Sequence, residues 1–67
     1  MALSVRNKFS GSVKDVKLGT VMAEVIVQVG DNEFVSAITR DGAEDLGLKA
    51  GDKVTVLVKS TSVMIQK

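Results

Sequence analysis

Two short stretches near the ends of this 67-residue chain crowd hydrogen-bond donors together: Leu3-Ser4-Val5-Arg6-Asn7 and Lys59-Ser60-Thr61. The first sets a hydroxyl, a guanidinium and an amide side by side. The second interrupts an apolar strand pattern, Val58-Lys59-Ser60-Thr61-Ser62-Val63-Met64, with one cation and three hydroxyls. A cation beside adjacent hydroxyls and backbone N–H groups is the donor set that an oxyanion requires. Taken alone, each stretch reads as a solvated strand edge, because charge runs face water and surface hydroxyls need no protein partner. Their joint appearance at opposite ends of the chain matters more, since the terminal strands of a small barrel can pair with one another or cross to a neighbouring subunit.

Other chemistries find little support. The chain has no His and no Cys, and its serines have no evident base beside them in sequence, so nucleophilic catalysis lacks its parts and an enzyme is not expected. No set of direct ligands for a metal cation is expected either. The carboxylates have structural explanations: Asp41, Glu44 and Asp45 suit the start of a helix, and Asp31 and Asp52 suit turns. Nine Lys and Arg against eight Asp and Glu leave a formal charge of +1, so no global field recommends nucleic acid or a membrane surface. With two Phe and no Trp or Tyr, the stacking surface on which single-strand binders rely is also scarce. The N-terminus lacks a cationic, apolar leader pattern, and no apolar run approaches about 18 residues, so a soluble cytoplasmic protein is the expectation.

The donors must be positioned by strands. Val21, Ala23, Val25, Val27 and Val29 alternate along one face of a long strand, with Met22, Glu24, Ile26 and Gln28 on the other. Gly30-Asp31-Asn32 supplies a tight hairpin, and Glu33–Ile38 returns. An earlier strand spans Phe9–Val16, closed by a Lys17-Leu18-Gly19-Thr20 turn, and Leu3–Asn7 is an extended segment before it. One short helix is expected over Asp41–Gly47, with Asp41 as N-cap, Glu44 completing a capping box, Gly47 as the left-handed stop, and Leu46 and Leu48 as anchors. After a turn at Lys49–Asp52, Lys53–Val58 alternates again, and a last strand is expected over Ser62–Gln66. Five strands with one helical turn before the fourth describe an all-β, small OB-like barrel, in a single domain over residues 1–67.

Such a short chain hides only about 60% of its unfolded surface. Without cysteines or histidines for disulfides or a structural metal, self-association is the expected supplement to a thin core.

SVRN followed by Gly11, the Gly-Leu-Lys-Ala-Gly-Asp turn at 47–52, and VKSTSVM together resemble the molbindin family, the small Mop or molybdenum-pterin-binding proteins, whose unit is a Mop/TOBE-type domain. The likeness covers nearly the whole chain and departs from the commoner SARN at Val5, a position that would offer its backbone. It implies a barrel that swaps an edge strand in a dimer, three such dimers forming a homo-hexamer, and molybdate or tungstate held between subunits. Carried over by position, Ser4 and Arg6 from one chain and Lys59 and Ser60 from another form the main oxyanion site, with Val5 and Thr39 as further contributors. A second class of site, near a threefold axis, is assigned to the turn at Gly19 and Thr20.

The implied ligand suits the residues. Molybdate is a tetrahedral dianion with four acceptor oxygens and no proton, so its ideal site contains donors only. Selection against sulfate would rest on size. Phosphate, partly protonated near neutral pH, would leave an O–H without a partner, at a cost of about 1 to 3 kcal/mol. The scarcity of aromatic side chains argues against a stacked pterin ring. The alternative readings are a structural, oligomerising TOBE-like module without a ligand of its own and, behind it, an OB-type nucleic-acid binder.

Overall fold

Alternation runs through β1 (Asn7–Leu18) with one interruption. The computed structural model describes residues 5–67 and shows its cause. β1 pairs antiparallel with β2 (Met22–Val29), Val13 opposite Val27 but Asp15 opposite Ile26, so Lys14 is an extra, bulged residue. A bulge bends its strand and re-aims the side chains beyond it. Val13 and Val16, three apart, therefore both turn towards the core. The bend also divides β1 between two partners, with Asn7–Ser12 pairing β4 (Lys53–Val58) and Ser12–Leu18 pairing β2.

β2 returns into β3 (Asn32–Thr39) through Gly30-Asp31, with Val29 opposite Asn32. Gly30 has φ +57° and Asp31 keeps a negative φ, the type II′ pattern in which glycine takes the first central position. The resulting sheet has the order β3-β2-β1-β4 and curls strongly: Phe9 on β1 meets Phe34 on β3 across the intervening strand, ring centroids 5.1 Å apart. The class is all-β and OB-like, with its short helix between the third and fourth strands as expected.

Val13, Val25 and Val27 form the buried centre, and Val16, Val29, Phe34, Ile38, Leu48, Val54 and Val56 pack around it half-buried. Each fully buried valine is worth about 1.5 to 3 kcal/mol, so so small a centre leaves the fold thinly supported. β1 and β2 approach closely where Gly11 lies: a Cβ there would stand 2.5 Å from the Gln28 carbonyl oxygen and 2.8 Å from Val29 Cγ2. Val21, expected on the inner face, instead lies in the bend before β2 and is 69% exposed.

The helix α1 (Arg40–Asp45) starts earlier than its sequence suggests. Thr39, not Asp41, is the N-cap, its Oγ1 accepting from the Gly42 N–H at 3.0 Å. The residue three beyond the cap is thus Gly42 and no capping box forms; Glu44 instead pairs with Arg40 at 2.8 Å, one helical turn away. Gly47, at φ +61°, ends the turn as expected. Of the expected anchors Leu48 is half-buried, but Leu46 is 71% exposed and the helix buries Ala43 in its place. Thr39→Ala should lower stability by about 1 kcal/mol and Thr39→Ser should restore most of it, as read from thermal unfolding at fixed protein concentration.

The C-terminal strand expected over Ser62–Gln66 does not form within the chain. Ser60–Ser62 is a single 3-10 turn, and Val63, Met64 and Ile65 after it are 47%, 92% and 88% exposed. Nothing in the described residues closes β3 onto β4, and the apolar interior opens between them as a cleft of about 550 Å³ lined by Val13, Val25, Ile38, Leu48, Val54 and Val56. Among the described residues no helix is long and apolar enough to cross a membrane.

Candidate functional site

The antiparallel β1–β4 ladder brings the two donor stretches together. Its last pair is Asn7 opposite Val58, fastened by the Asn7 side-chain amide donating to the Val58 carbonyl at 3.1 Å. Arg6 precedes one member of that pair and Lys59 follows the other, so both cations leave the ladder at the same end, both exposed. Val5 is half-buried beside Arg6. Ser4 lies outside the described residues. Lys59 is extended, at φ −65° and ψ 139°, and caps the 3-10 turn that carries the Ser60 hydroxyl. The bonds inside that turn run from the N–H groups of Ser62 and Val63 to the carbonyls of Lys59 and Ser60. The N–H groups of Ser60 and Thr61, at its start, have no partner within the turn.

Charge is distributed to match. All eight carboxylates lie between Asp15 and Asp52, whereas residues 1–14 and 53–67 carry Arg6, Lys8, Lys14, Lys53, Lys59 and Lys67. The fold pairs residues 7–12 of the first with 53–58 of the second, so a near-neutral chain presents a strand pair without acidic side chains, with Lys8 and Lys53 on it and Arg6 and Lys59 at one end. Among the described residues, no three His, Cys, Asp or Glu side chains gather as a cation site.

The remaining candidates sit elsewhere. Thr39 opposes Met22 in the β2–β3 ladder, and Arg40 ties the helix to the β1–β2 turn, its backbone N–H donating to the Val21 carbonyl at 2.8 Å and its Nη1 to the Gly19 carbonyl at 3.1 Å. Gly19, Thr20 and Thr39 are thereby collected at the Leu18 end of β1, whereas Arg6 and Lys59 lie at its Asn7 end. The twelve residues of β1 separate the two groups along the strand. The Gly19 N–H is engaged by the Met22 carbonyl at 2.8 Å, which leaves Thr20 as the donor of that turn. The Thr39 hydroxyl accepts its capping bond and keeps its own O–H to donate.

Sequence reasoning passed over two features. Asn7 sits within the first motif but acts here as the fastener that sets its register. A second polar cluster, Ser10, Ser12, Lys53 and Thr55, gathers on the outer face of the same ladder. Its only sequence signal is shared parity on two strands whose pairing cannot be read from the chain.

Residues 3–65 match the TOBE domain family. Molybdenum-pterin-binding protein 2 of Clostridium pasteurianum is 46% identical over 66 residues, 97% of each chain. The structure is similar to that of a molybdate-binding protein from Sporomusa ovata, with a TM-score of 0.94 and 46% identity over the full length of both chains. It is also similar to the cytoplasmic molybdate-binding protein ModG with molybdate bound, with a TM-score of 0.84 and 38% identity, covering 90% of this chain and 43% of that one. With Arg6 and the KST motif at one end of an OB-like sheet, these likenesses over nearly the whole length establish that the chain belongs to the molbindin, or molybdenum-pterin-binding protein, family of TOBE domains.

Proposed function

We propose that this chain is a non-catalytic molybdate- and tungstate-binding protein that stores or buffers the anion in the cytoplasm. The observation that carries the reading is the convergence of Arg6, Lys59 and Ser60 at the end of a strand pair whose segments contain no carboxylate. Two cations offset a dianion, and hydroxyl and backbone donors suit its four oxygens. The resemblance would add the Ser4 hydroxyl and the Val5 backbone to the same donor set. That relatives of 46% identity are named for binding molybdenum-pterin or molybdate supports the choice of anion.

The assembly is a homo-hexamer of three strand-exchanged dimers. Two observations support it: among the described residues no strand covers the cleft between β3 and β4, and the Val63-Met64-Ile65 tail is apolar and exposed. Each is unfavourable alone, and a second copy would remove both from water. Strand exchange would draw Ser4 and Arg6 from one chain and Lys59 and Ser60 from another, with Thr39 as a further contributor, so anion binding and assembly are linked.

Calorimetry with molybdate, tungstate and sulfate, joined to native mass spectrometry, tests the reading. Heat with the first two anions, little with sulfate, and a hexamer are expected. Saturation at a hundredfold excess over Kd should stabilise each independent site by about 2.7 kcal/mol, seen as a rise in Tm. A monomer, or no heat with molybdate, would overturn it; a hexamer without heat would make the chain a purely oligomerising module.

A further inference from the structure

The outer face of the β1–β4 ladder holds a second donor cluster, away from the strand end just described. Ser10 lies directly opposite Thr55 and Ser12 directly opposite Lys53, so the four side chains form one contiguous patch on a single face. With Gly11, Gln28, Gly30 and Val54 they line an open hollow of about 550 Å³. The Lys53 ammonium lies 3.5 Å from Ser12 Oγ, a loose contact that leaves its donors available. Gln28 donates its side-chain N–H to the Gly30 carbonyl at 2.8 Å, which leaves its amide oxygen as an acceptor. Glu33, opposite Gln28, is paired with Lys14, and Asp31 and Asp52 neighbour Gly30 and Lys53 along the chain.

The lining has one ammonium, three hydroxyls that both donate and accept, and an amide oxygen, against the two cations at the end of the ladder. Such a set tolerates a protonated oxyanion and can pair with neutral hydroxyl groups. The hollow is also much larger than a bare tetrahedral anion and falls within the range of about 300 to 1,000 Å³ usual for small organic ligands.

We propose that the hollow bounded by Ser10, Ser12, Gln28, Lys53 and Thr55 binds the phosphoryl group of a small phosphate monoester, with Lys53 and the serine hydroxyls on the phosphate and the Gln28 amide and Thr55 on hydroxyls of the organic part. The test uses the full-length protein labelled with nitrogen-15, saturated with molybdate, and titrated with ribose 5-phosphate or inorganic phosphate at millimolar concentration. Ribose 5-phosphate is expected to shift the backbone amide signals of Ser10, Ser12, Gln28, Lys53 and Thr55. Inorganic phosphate should shift the same signals at higher concentration. Lys53→Met should weaken the ester about tenfold while molybdate affinity stays unchanged. Shifts confined to Arg6, Lys59 and Ser60, no shifts at all, or an unaltered response in Lys53→Met would overturn the site. Equal affinity for inorganic phosphate would overturn the organic part of the ligand.

Discussion

Lys59→Ala and Arg6→Ala should each weaken molybdate binding by about ten- to a hundredfold, the loss expected when a hydrogen bond to a charged group, worth about 1.5 to 3 kcal/mol, is removed. Both side chains are exposed at the end of the β1–β4 ladder, so the far-UV circular dichroism spectrum and the Tm of the anion-free protein should barely move. The rise in Tm on adding molybdate should shrink with affinity, because that rise is the binding free energy seen through unfolding. The double variant should lose less than the sum of the two single losses, since both cations act on one dianion. Lys59→Arg keeps the charge but exchanges a compact ammonium for a broad planar fork, and should bind less well than the parent. Unchanged calorimetric affinity in both alanine variants would remove the site from this end of the fold.

The second large effect concerns Gly11. A single added methyl would collide with the backbone oxygen of Gln28 at 2.5 Å and with Val29 Cγ2 at 2.8 Å, and a main-chain atom cannot swing aside as a side-chain tip can. Gly11→Ala must therefore move β1 away from β2 beside the bulge, with a destabilisation of about 2 kcal/mol. For a domain of this size that is a fall in Tm of about 8 to 16 °C, measured without ligand and at constant protein concentration. Gly11→Val should be worse, to the point of failing to accumulate folded. Because the displaced strand also carries Arg6, molybdate affinity in Gly11→Ala should fall as well, which an effect confined to the core would not produce. An unaltered Tm would mean that the strands have room to spare.

The two sites on one strand pair differ in their balance of charge and acceptors. The ladder's end offers two cations, Arg6 and Lys59, beside the Asn7 amide and the Ser60 hydroxyl, whereas the outer face offers one ammonium, three hydroxyls and the Gln28 amide oxygen. Charge attracts an anion to either place. Two cations favour a dianion, and one ammonium among groups that also accept favours an anion that keeps a proton or carries hydroxyls.

Much of the fold is legible from short-range pattern. The alternation from Ala23 to Val29 marks β2 because a strand face repeats every second residue, and Gly30-Asp31 announces its turn because only a residue without a side chain enters that region readily. The donor chemistry of the two motifs is equally local, since a guanidinium, an ammonium and hydroxyls are donors wherever they sit. The OB-like class and the self-association expected of a thin core follow from the same information.

What the chain alone leaves open depends on register and on competition between neighbouring groups. The bulge at Lys14 shifts the inward position from Val13 to Val16, and no sequence period carries a one-residue insertion that only the partner strand defines. Thr39 displaced Asp41 as helix cap because the end of β3 delivered its hydroxyl to the Gly42 N–H first. The Ser62–Gln66 segment has strand alternation, but it does not pair with the outer edge of β3 or β4 in its own chain, and pairing is a property of two strands and never of one. By itself the sequence determined the chemical nature of the donors and the faces of the central strands. Only the tertiary structure decided that Arg6 and Lys59 lie at the Asn7 end of β1 while Thr39, Gly19 and Thr20 gather at its Leu18 end, because distance in space is settled by strand register, to which the order of residues is blind.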